Sequence, residues 1–214
     1  MGLFMALTLL FVSGCRCKPD VYGDNILLEV PLCIGVSSDT INAGDTIWIS
    51  AEFDKQVLEL KSGQEILLDN FNFFTELGIS EISDTIQEII AVSTFSDIGF
   101  IEELPLITAI SYPITYEETE DQYLFKGGMI APNEIGLYVI SPFSANILFE
   151  GYNHPALLIC GNDRRSIVNV SYKNKYSTRE NYENTYINTQ VPFLLERATF
   201  EDYQSAGAVS FYVR

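Results

Sequence analysis

The sequence predicts a mainly β fold, an antiparallel β-sandwich followed by short C-terminal helices. Phe and Tyr are abundant, with 14 and 12 among 214 residues, and aromatic and β-branched residues favour strands. Short apolar segments alternate with Gly, Pro and Asn turn signals, a spacing typical of sandwiches and barrels. Two patterns typical of helix starts occur near the C-terminus. Together these features predict strands through most of the chain and short helices before the last strand.

The clearest strand covers residues 46–53. Its apolar residues alternate with polar ones and with Trp48, the period-2 pattern of a half-buried strand; they are Ile47, Ile49, Ala51 and Phe53. Gly44-Asp45-Thr46 before this alternation resembles the second strand of immunoglobulin-like modules in bacterial surface proteins. The resemblance covers about a dozen residues and contains no catalytic motif. It implies an Ig-like sandwich.

Further strands are predicted on both sides of this segment. Pro31 interrupts residues 26–34, which indicates an edge strand or a bulge, and residues 86–92 fit a strand or a short helix. The other strand segments are 71–79, 106–110, 123–125, 137–140, 167–172 and 208–213. Turns are expected at Tyr112-Pro113, Gly127-Gly128, Pro132-Asn133 and Ser141-Pro142.

The C-terminal part carries two helix-start patterns. Ser177-Thr178-Arg179-Glu180 has the spacing of a capping box, and Thr199-Phe200-Glu201-Asp202 repeats it. Gly207 follows as a stop signal. We therefore expect short helices between about residues 177 and 206, packed over one end of the sandwich.

The first fifteen residues, MGLFMALTLLFVSGC, resemble the signal peptide of a bacterial lipoprotein. The uncharged stretch before Cys15 is shorter than the roughly 20 apolar residues of a membrane-spanning helix. Val12-Ser13-Gly14-Cys15 resembles a lipobox, in which an aliphatic residue and two small ones precede a cysteine. The resemblance implies that the Cys15 thiol is lipidated and that the preceding peptide is removed.

This interpretation divides the chain into three parts. Residues 1–14 are the signal peptide, residues 15–25 a polar lipidated tether, and residues 26–214 the sandwich domain with its helical portion. The mature chain is then long enough to bury a substantial core. The protein is expected to be exported and anchored to the cell envelope, at the outer membrane or the cell surface.

The net charge of −17 restricts the partners. Between residues 62 and 162 only Lys126 is basic, whereas bases cluster between residues 163 and 179. So acidic a surface repels phosphate backbones, which argues against nucleic acid as a partner. It also disfavours adsorption to anionic lipid, so we expect the lipid on Cys15 to be the only membrane attachment.

Three cysteines remain once Cys15 is lipidated. Cys33 and Cys160 both have apolar neighbours and are the candidate disulfide pair, in a compartment where disulfides persist. Cys17 is then free in the tether or an alternative partner for either. The other possibility is that Cys33 and Cys160 are both buried free thiols.

A search for catalytic motifs identifies none. The sole histidine is His154, so a Ser-His or Cys-His nucleophile would have to use it. Neither HExxH nor CxxC occurs, and we expect no cofactor and no structural or catalytic zinc. The densest acidic cluster, formed by Glu117, Glu118, Glu120 and Asp121, is either a solvated loop or a candidate calcium site.

Aromatic residues in or beside loops form a candidate binding surface, because exposed rings stack on sugars or anchor partner proteins. They are Tyr116, Tyr123, Phe143, Phe149 and Tyr152. The sequence therefore predicts a non-enzymatic envelope lipoprotein that binds a glycan or a protein partner. A structural subunit of an envelope assembly and a hydrolase built on a carboxylate pair remain as alternatives.

Overall fold

The computed structural model describes residues 26–36, 38–73, 75–82, 87–105, 110–144, 147–149, 166–183 and 199–214. This part of the chain is mainly β and its strand pairs are mostly antiparallel, so the predicted fold class is confirmed. Most described elements belong to one compact unit, Ile26–Ile147 with Val168–Arg214. The other unit, Met1–Asn25 with Leu148–Ile167, contains few described residues.

The first sheet has the strand order β17-β1-β5-β6. Its strands are β1 (Ile26–Pro31), β5 (Gln56–Glu59), β6 (Gln64–Leu67) and β17 (Ser166–Lys173). The pair β1–β17 is parallel, whereas β1–β5 and β5–β6 are antiparallel. A short strand, β16 (Ile147–Phe149), precedes β17 in the chain.

The second sheet has the order β13-β14-β4-β2, with β9 also paired to β14. Its strands are β2 (Cys33–Gly35), β4 (Thr46–Asp54), β9 (Thr94–Ile98), β13 (Glu117–Glu118) and β14 (Gln122–Ile130). The strand expected at residues 46–53 is therefore present as β4. Its four predicted inward residues are buried, with Ile47 and Ile49 fully covered.

The third sheet has the order β10-β12-β7-β15-β18-β3, with β11 on β12 and β8 on β7. Its strands are β3 (Thr40–Ile41), β7 (Thr75–Ile82), β8 (Gln87–Ile89), β10 (Phe100–Ile101), β11 (Leu104–Pro105), β12 (Ile110–Thr115), β15 (Gly136–Ser144) and β18 (Val209–Val213). Residues 87–89 form a strand rather than a helix. The expected strand at 71–79 begins later, at Thr75, and Phe71 and Phe73 before it are buried.

Three of the predicted turns are wrong, because their residues lie within strands. Gly127 and Gly128 occupy the middle of β14, where the backbones of the paired strands β9 and β4 lie so close that larger side chains do not fit. Pro113 lies in β12 between the residues that pair with β10 and those that pair with β11. Pro142 lies in β15 beyond the residues that pair with β18. Both prolines thus occupy positions where one side of the strand is unpaired among the described residues.

The predicted strand at 26–34 is divided at Pro31, which ends β1. After Leu32, whose backbone N–H donates to the Lys173 carbonyl at 3.2 Å, the chain enters β2 of the second sheet. Pro31 therefore marks a change of sheet rather than a bulge.

Two short helices, α1 (Arg179–Asn181) and α2 (Phe200–Ser205), lie in the predicted region. The capping box of Thr199 and Asp202 is confirmed, and Gly207 follows α2 with a φ of +66°. The first helix starts one residue later than predicted, since its N-cap is Thr178. Within the described ranges, neither helix has the length and apolar composition needed to cross a bilayer.

The helices are held to the third sheet by buried polar contacts of Asn181. Its amide nitrogen donates to Asp39 Oδ1 at 2.9 Å and to the Ser210 carbonyl at 2.8 Å. Its amide oxygen accepts from the Tyr203 hydroxyl at 2.6 Å and from the Ser210 backbone N–H at 3.1 Å. One side chain thereby joins α1, α2 and β18.

Candidate functional site

The outer face of the second sheet carries an exposed tryptophan in the middle of β4. Trp48 lies between the inward-facing Ile47 and Ile49, so the pleat of the strand directs its indole outward, where it is 51% exposed. Its partners on the two neighbouring strands are Gly35 and Gly128. Because neither glycine has a side chain, the space on both sides of the indole is open to other rings.

Two aromatic rings occupy that space. Phe95 of β9 pairs with Gly128, and its ring meets the Trp48 indole edge to face, with centroids 5.5 Å apart. On the other side, Tyr176 covers Gly35, where an added Cβ would lie 3.4 Å from the tyrosine ring. Opposed residues of a ladder project to the same face, so the three rings form one surface, which we call the aromatic platform.

A groove of about 880 Å³ adjoins the platform, a volume within the usual range of ligand sites. Cys33 and Ser50 line it and form the strand pair next to Gly35 and Trp48 on the same outer face. Lys175 and Ser177, the chain neighbours of Tyr176, also line the groove. The platform and the groove are therefore continuous.

Charged side chains of both signs line this groove. The acids are Glu29, Glu52 and Glu201, and the bases are Lys173, Lys175 and Arg179. Lys173 Nζ lies 3.4 Å from Glu29 Oε1, and the Lys175 ammonium lies 5.0 Å from the centre of the Tyr176 ring. The basic segment noted in the sequence thus borders the groove, where it is balanced by carboxylates.

Arg179 is positioned by two contacts at the start of α1. Its guanidinium carbon lies 4.4 Å from the centre of the Phe200 ring, and its Nη1 lies 3.6 Å from Glu183 Oε1. These contacts orient the guanidinium between the two helices at the groove wall.

Tyr172, which lines the groove, is held by a buried hydroxyl chain. The Tyr172 hydroxyl donates to Thr75 Oγ1 at 2.9 Å, and Thr75 Oγ1 is 2.8 Å from the Tyr116 hydroxyl. Burial raises the pKa of both tyrosines far above the ordinary value. Both hydroxyls therefore stay protonated and serve as structural hydrogen-bonding groups.

The prediction that Tyr123 belongs to an exposed aromatic surface is wrong. Its ring is 1% exposed and packs at 5.5 Å from Phe53 and 5.0 Å from Phe73, and its hydroxyl accepts from the Phe71 backbone N–H at 2.9 Å. Tyr116 is half-buried in the same aromatic cluster. Both rings therefore contribute to the core, where they pack against Phe53 and Phe73.

The other members of that predicted surface lie outside what the structure describes. This applies to the side chains of Phe143 and Phe149 and to Tyr152 as a whole. It also applies to His154, Cys15, Cys17 and Cys160. Cys33 is half-buried in β2, and its disulfide with Cys160 stays a prediction.

Of the two alternatives left open for the acidic cluster, the calcium site is not assembled among the described residues. Within the described ranges no group of three or more metal-ligating side chains could hold an ion. Glu118 instead lies 2.7 Å from Lys55 Nζ and accepts the Asn70 backbone N–H at 2.9 Å. Glu117 is exposed on β13, while Glu120 and Asp121 are exposed in the turn that follows. Glu118 thus pairs with Lys55, and the four carboxylates are not gathered around one point.

The sequence contains a signal for the platform in Trp48, which lies within a strand and not among the loop aromatics predicted to bind. In β4, Trp48 occupies an outward position among Thr46, Ser50 and Glu52, where a large apolar residue is unexpected. The pairing of this tryptophan with two glycines could not be deduced from the sequence, because it depends on strand register.

Neither a protein-family model nor a curated protein matches this chain. Among solved structures, it is similar to a cohesin module of a family 33 glycoside hydrolase from Clostridium perfringens, at 11% identity and a TM-score of 0.29. The match covers 66% of this chain and 97% of that module. A similarity this low assigns neither a fold family nor a function.

Proposed function

We propose that this chain is a non-enzymatic, lipid-anchored binding module of the bacterial envelope that binds a glycan on its aromatic platform. The observation that carries the proposal is the half-exposed Trp48 flanked on both neighbouring strands by glycine. A flat, exposed indole offers an apolar surface to the C–H face of a sugar ring. The neighbouring groove provides the hydroxyl, carboxylate and ammonium groups that fix the orientation of a polar ligand.

The charge of the chain supports a carbohydrate ligand rather than a nucleic acid, and the position of the site keeps ligand binding apart from the core. The net charge of −17 repels phosphate backbones, whereas an uncharged or weakly charged sugar is not repelled. Ligand contacts made from the outer face leave the inward residues of β4 to the core. Binding and folding are thus assigned to opposite faces of the same strand.

A glycan array probed with the protein and with two variants tests this proposal. Trp48→Ala removes the indole and is expected to weaken binding at least about tenfold, which corresponds to roughly 1.4 kcal/mol. Phe100→Ala is the matched control, because Phe100 is 53% exposed but lies on β10 of the third sheet. Equal binding by the Trp48→Ala variant and the wild type, or no binding to any glycan, would contradict the platform.

Incubation of the protein with the glycan that it binds distinguishes a binding module from a hydrolase. If the chain only binds, no new reducing ends are released from the glycan. Release of reducing ends that is abolished by Glu52→Gln would instead favour the carboxylate-based hydrolase, since Glu52 lines the groove.

A further inference from the structure

The outer face of the first sheet carries exposed leucines at its edge. Within β5 and β6, Val57 and Ile66 are buried, while Leu58 and Leu67 are 38% and 59% exposed. Leu60, directly after β5, is 39% exposed. Strand alternation thus places these leucines on the side of the sheet that faces away from the core.

The leucines are neighbours. Leu58 opposes Glu65 on β6, which makes Leu67 its diagonal neighbour on the same face. The Leu60 backbone N–H donates to the Leu27 carbonyl of β1 at 2.8 Å, so the half-buried Leu27 adjoins the group. We call Leu27, Leu58, Leu60 and Leu67 the leucine patch.

The patch lies where the tether enters the domain. Leu27 is the second residue of the described chain, and Ile26 follows Cys15 by eleven residues. Eleven residues span at most about 40 Å even when fully extended. A lipid on Cys15 would therefore hold the start of β1, beside the leucine patch, within about that distance of the bilayer.

We propose that the leucine patch contacts the surface of the bilayer in which the lipid is anchored, an inference that rests on the proposed lipidation of Cys15. The bilayer partner is zwitterionic phospholipid, because a net charge of −17 opposes contact with anionic headgroups. Exposed leucines enter the boundary between headgroups and acyl chains, where burial of their apolar surface is favourable. This contact with zwitterionic lipid would be a second attachment besides the lipid on Cys15, which differs from the expectation drawn from the charge alone, and it orients the domain on the membrane.

Quenching by brominated phosphatidylcholine tests the contact, because the chain has a single tryptophan. The full lipidated chain carrying Leu67→Trp and Trp48→Phe is reconstituted in vesicles with and without brominated lipid. We expect brominated lipid to reduce the emission by about half, and addition of Leu58→Ser and Leu60→Ser to diminish this quenching. The matched control carries Phe100→Trp with Trp48→Phe, and its emission is expected to stay unchanged.

This experiment measures anchoring by flotation and contact of the leucine patch by quenching, so the two are tested separately. Flotation of the vesicles reports whether the chain is anchored at all, and failure to float would contradict the lipidation. A floating Leu67→Trp variant that is not quenched, or is quenched equally after both serine substitutions, would overturn the membrane contact. Quenching equal to that of the Phe100→Trp control would overturn it as well.

Discussion

At the scale of single residues, one buried carboxylate fixes the β5–β6 hairpin against the first strand. Glu59 is 5% exposed and accepts from the backbone N–H groups of Leu27 at 3.1 Å, Lys61 at 3.1 Å and Ser62 at 2.6 Å. Burial by itself would raise the pKa of Glu59. The hydrogen bonds from the Ser62 hydroxyl and from the three N–H groups outweigh it and lower the pKa to about 2.

We predict that Glu59→Gln destabilises the fold at neutral pH and removes part of its acid sensitivity. The ordinary pKa is 4.5, so the stability from the ionised form is fully present above that pH. It is lost as the pH falls through about 2, where the native carboxylate takes up its proton. At pH 7 the melting temperature of the variant should be lower by about 3–6 °C.

Thermal unfolding at pH 7 and near pH 2 checks the sign of this effect. The difference between wild type and Glu59→Gln should shrink at the lower pH. Glu65→Gln on the exposed side of β6 is the control and should unfold with the wild type. A difference that stays constant between the two pH values would assign the effect to packing rather than to charge.

At the scale of elements, the close approach of the paired strands β9 and β4 to β14 depends on glycine. A Cβ built on Gly127 would lie 2.4 Å from the Phe95 backbone carbonyl oxygen, and one on Gly128 would lie 2.7 Å from that of Ile47. Since backbone atoms cannot yield as a flexible side chain does, no larger residue fits without moving a strand. The pairing of β9 with β14 also brings Phe95 beside Trp48.

Gly127→Ala should therefore destabilise the protein by more than about 2 kcal/mol, because the displaced β9 loses both ladder bonds and packing. The measurement is the free energy of unfolding in urea. Gly136→Ala is the matched control, since its new methyl group would first meet the mobile Glu81 carboxylate at 3.0 Å. If the two variants lost similar amounts of unfolding free energy, the role assigned to the close approach of β9 to β14 would be refuted.

These elements also show how far the sequence alone could be interpreted. The alternation in β4 and the capping box of Thr199 are local patterns, and both predicted the structure correctly. Gly127-Gly128 and Pro142 have the local chemistry of turns, yet they lie in strands. The glycines admit the close neighbour β9, and Pro142 lies beyond the point where the pairing of β15 with β18 ends. Tyr123 appeared to be a loop aromatic, and only the packing of Phe53 and Phe73 against it shows that it is core.

At the scale of the whole molecule, the two proposals assign different purposes to two surfaces. The aromatic platform on the second sheet is the proposed ligand site, while the leucine patch on the first sheet is the proposed membrane contact. The strand order could not be predicted, because nothing local indicates that β1 and β2 join different sheets.

Lipidation of Cys15 is the prediction that belongs to this scale. Cells grown with radioactive palmitate should label the wild-type protein and leave Cys15→Ala unlabelled, because the thiol is the acceptor of the lipid. Cys33→Ala, which retains Cys15, is the control and should be labelled as the wild type is. Equal label in the wild type and in Cys15→Ala would exclude this anchor.

The most direct test of the central claim uses the fluorescence of Trp48, the sole tryptophan of the chain. A titration with the glycan that binds best on the array should shift the emission to shorter wavelength and shield the indole from acrylamide, since a sugar stacked on the ring excludes water. Both changes should saturate at the concentration that saturates binding. Binding that leaves the emission and its quenching unchanged would place the ligand elsewhere and contradict the platform.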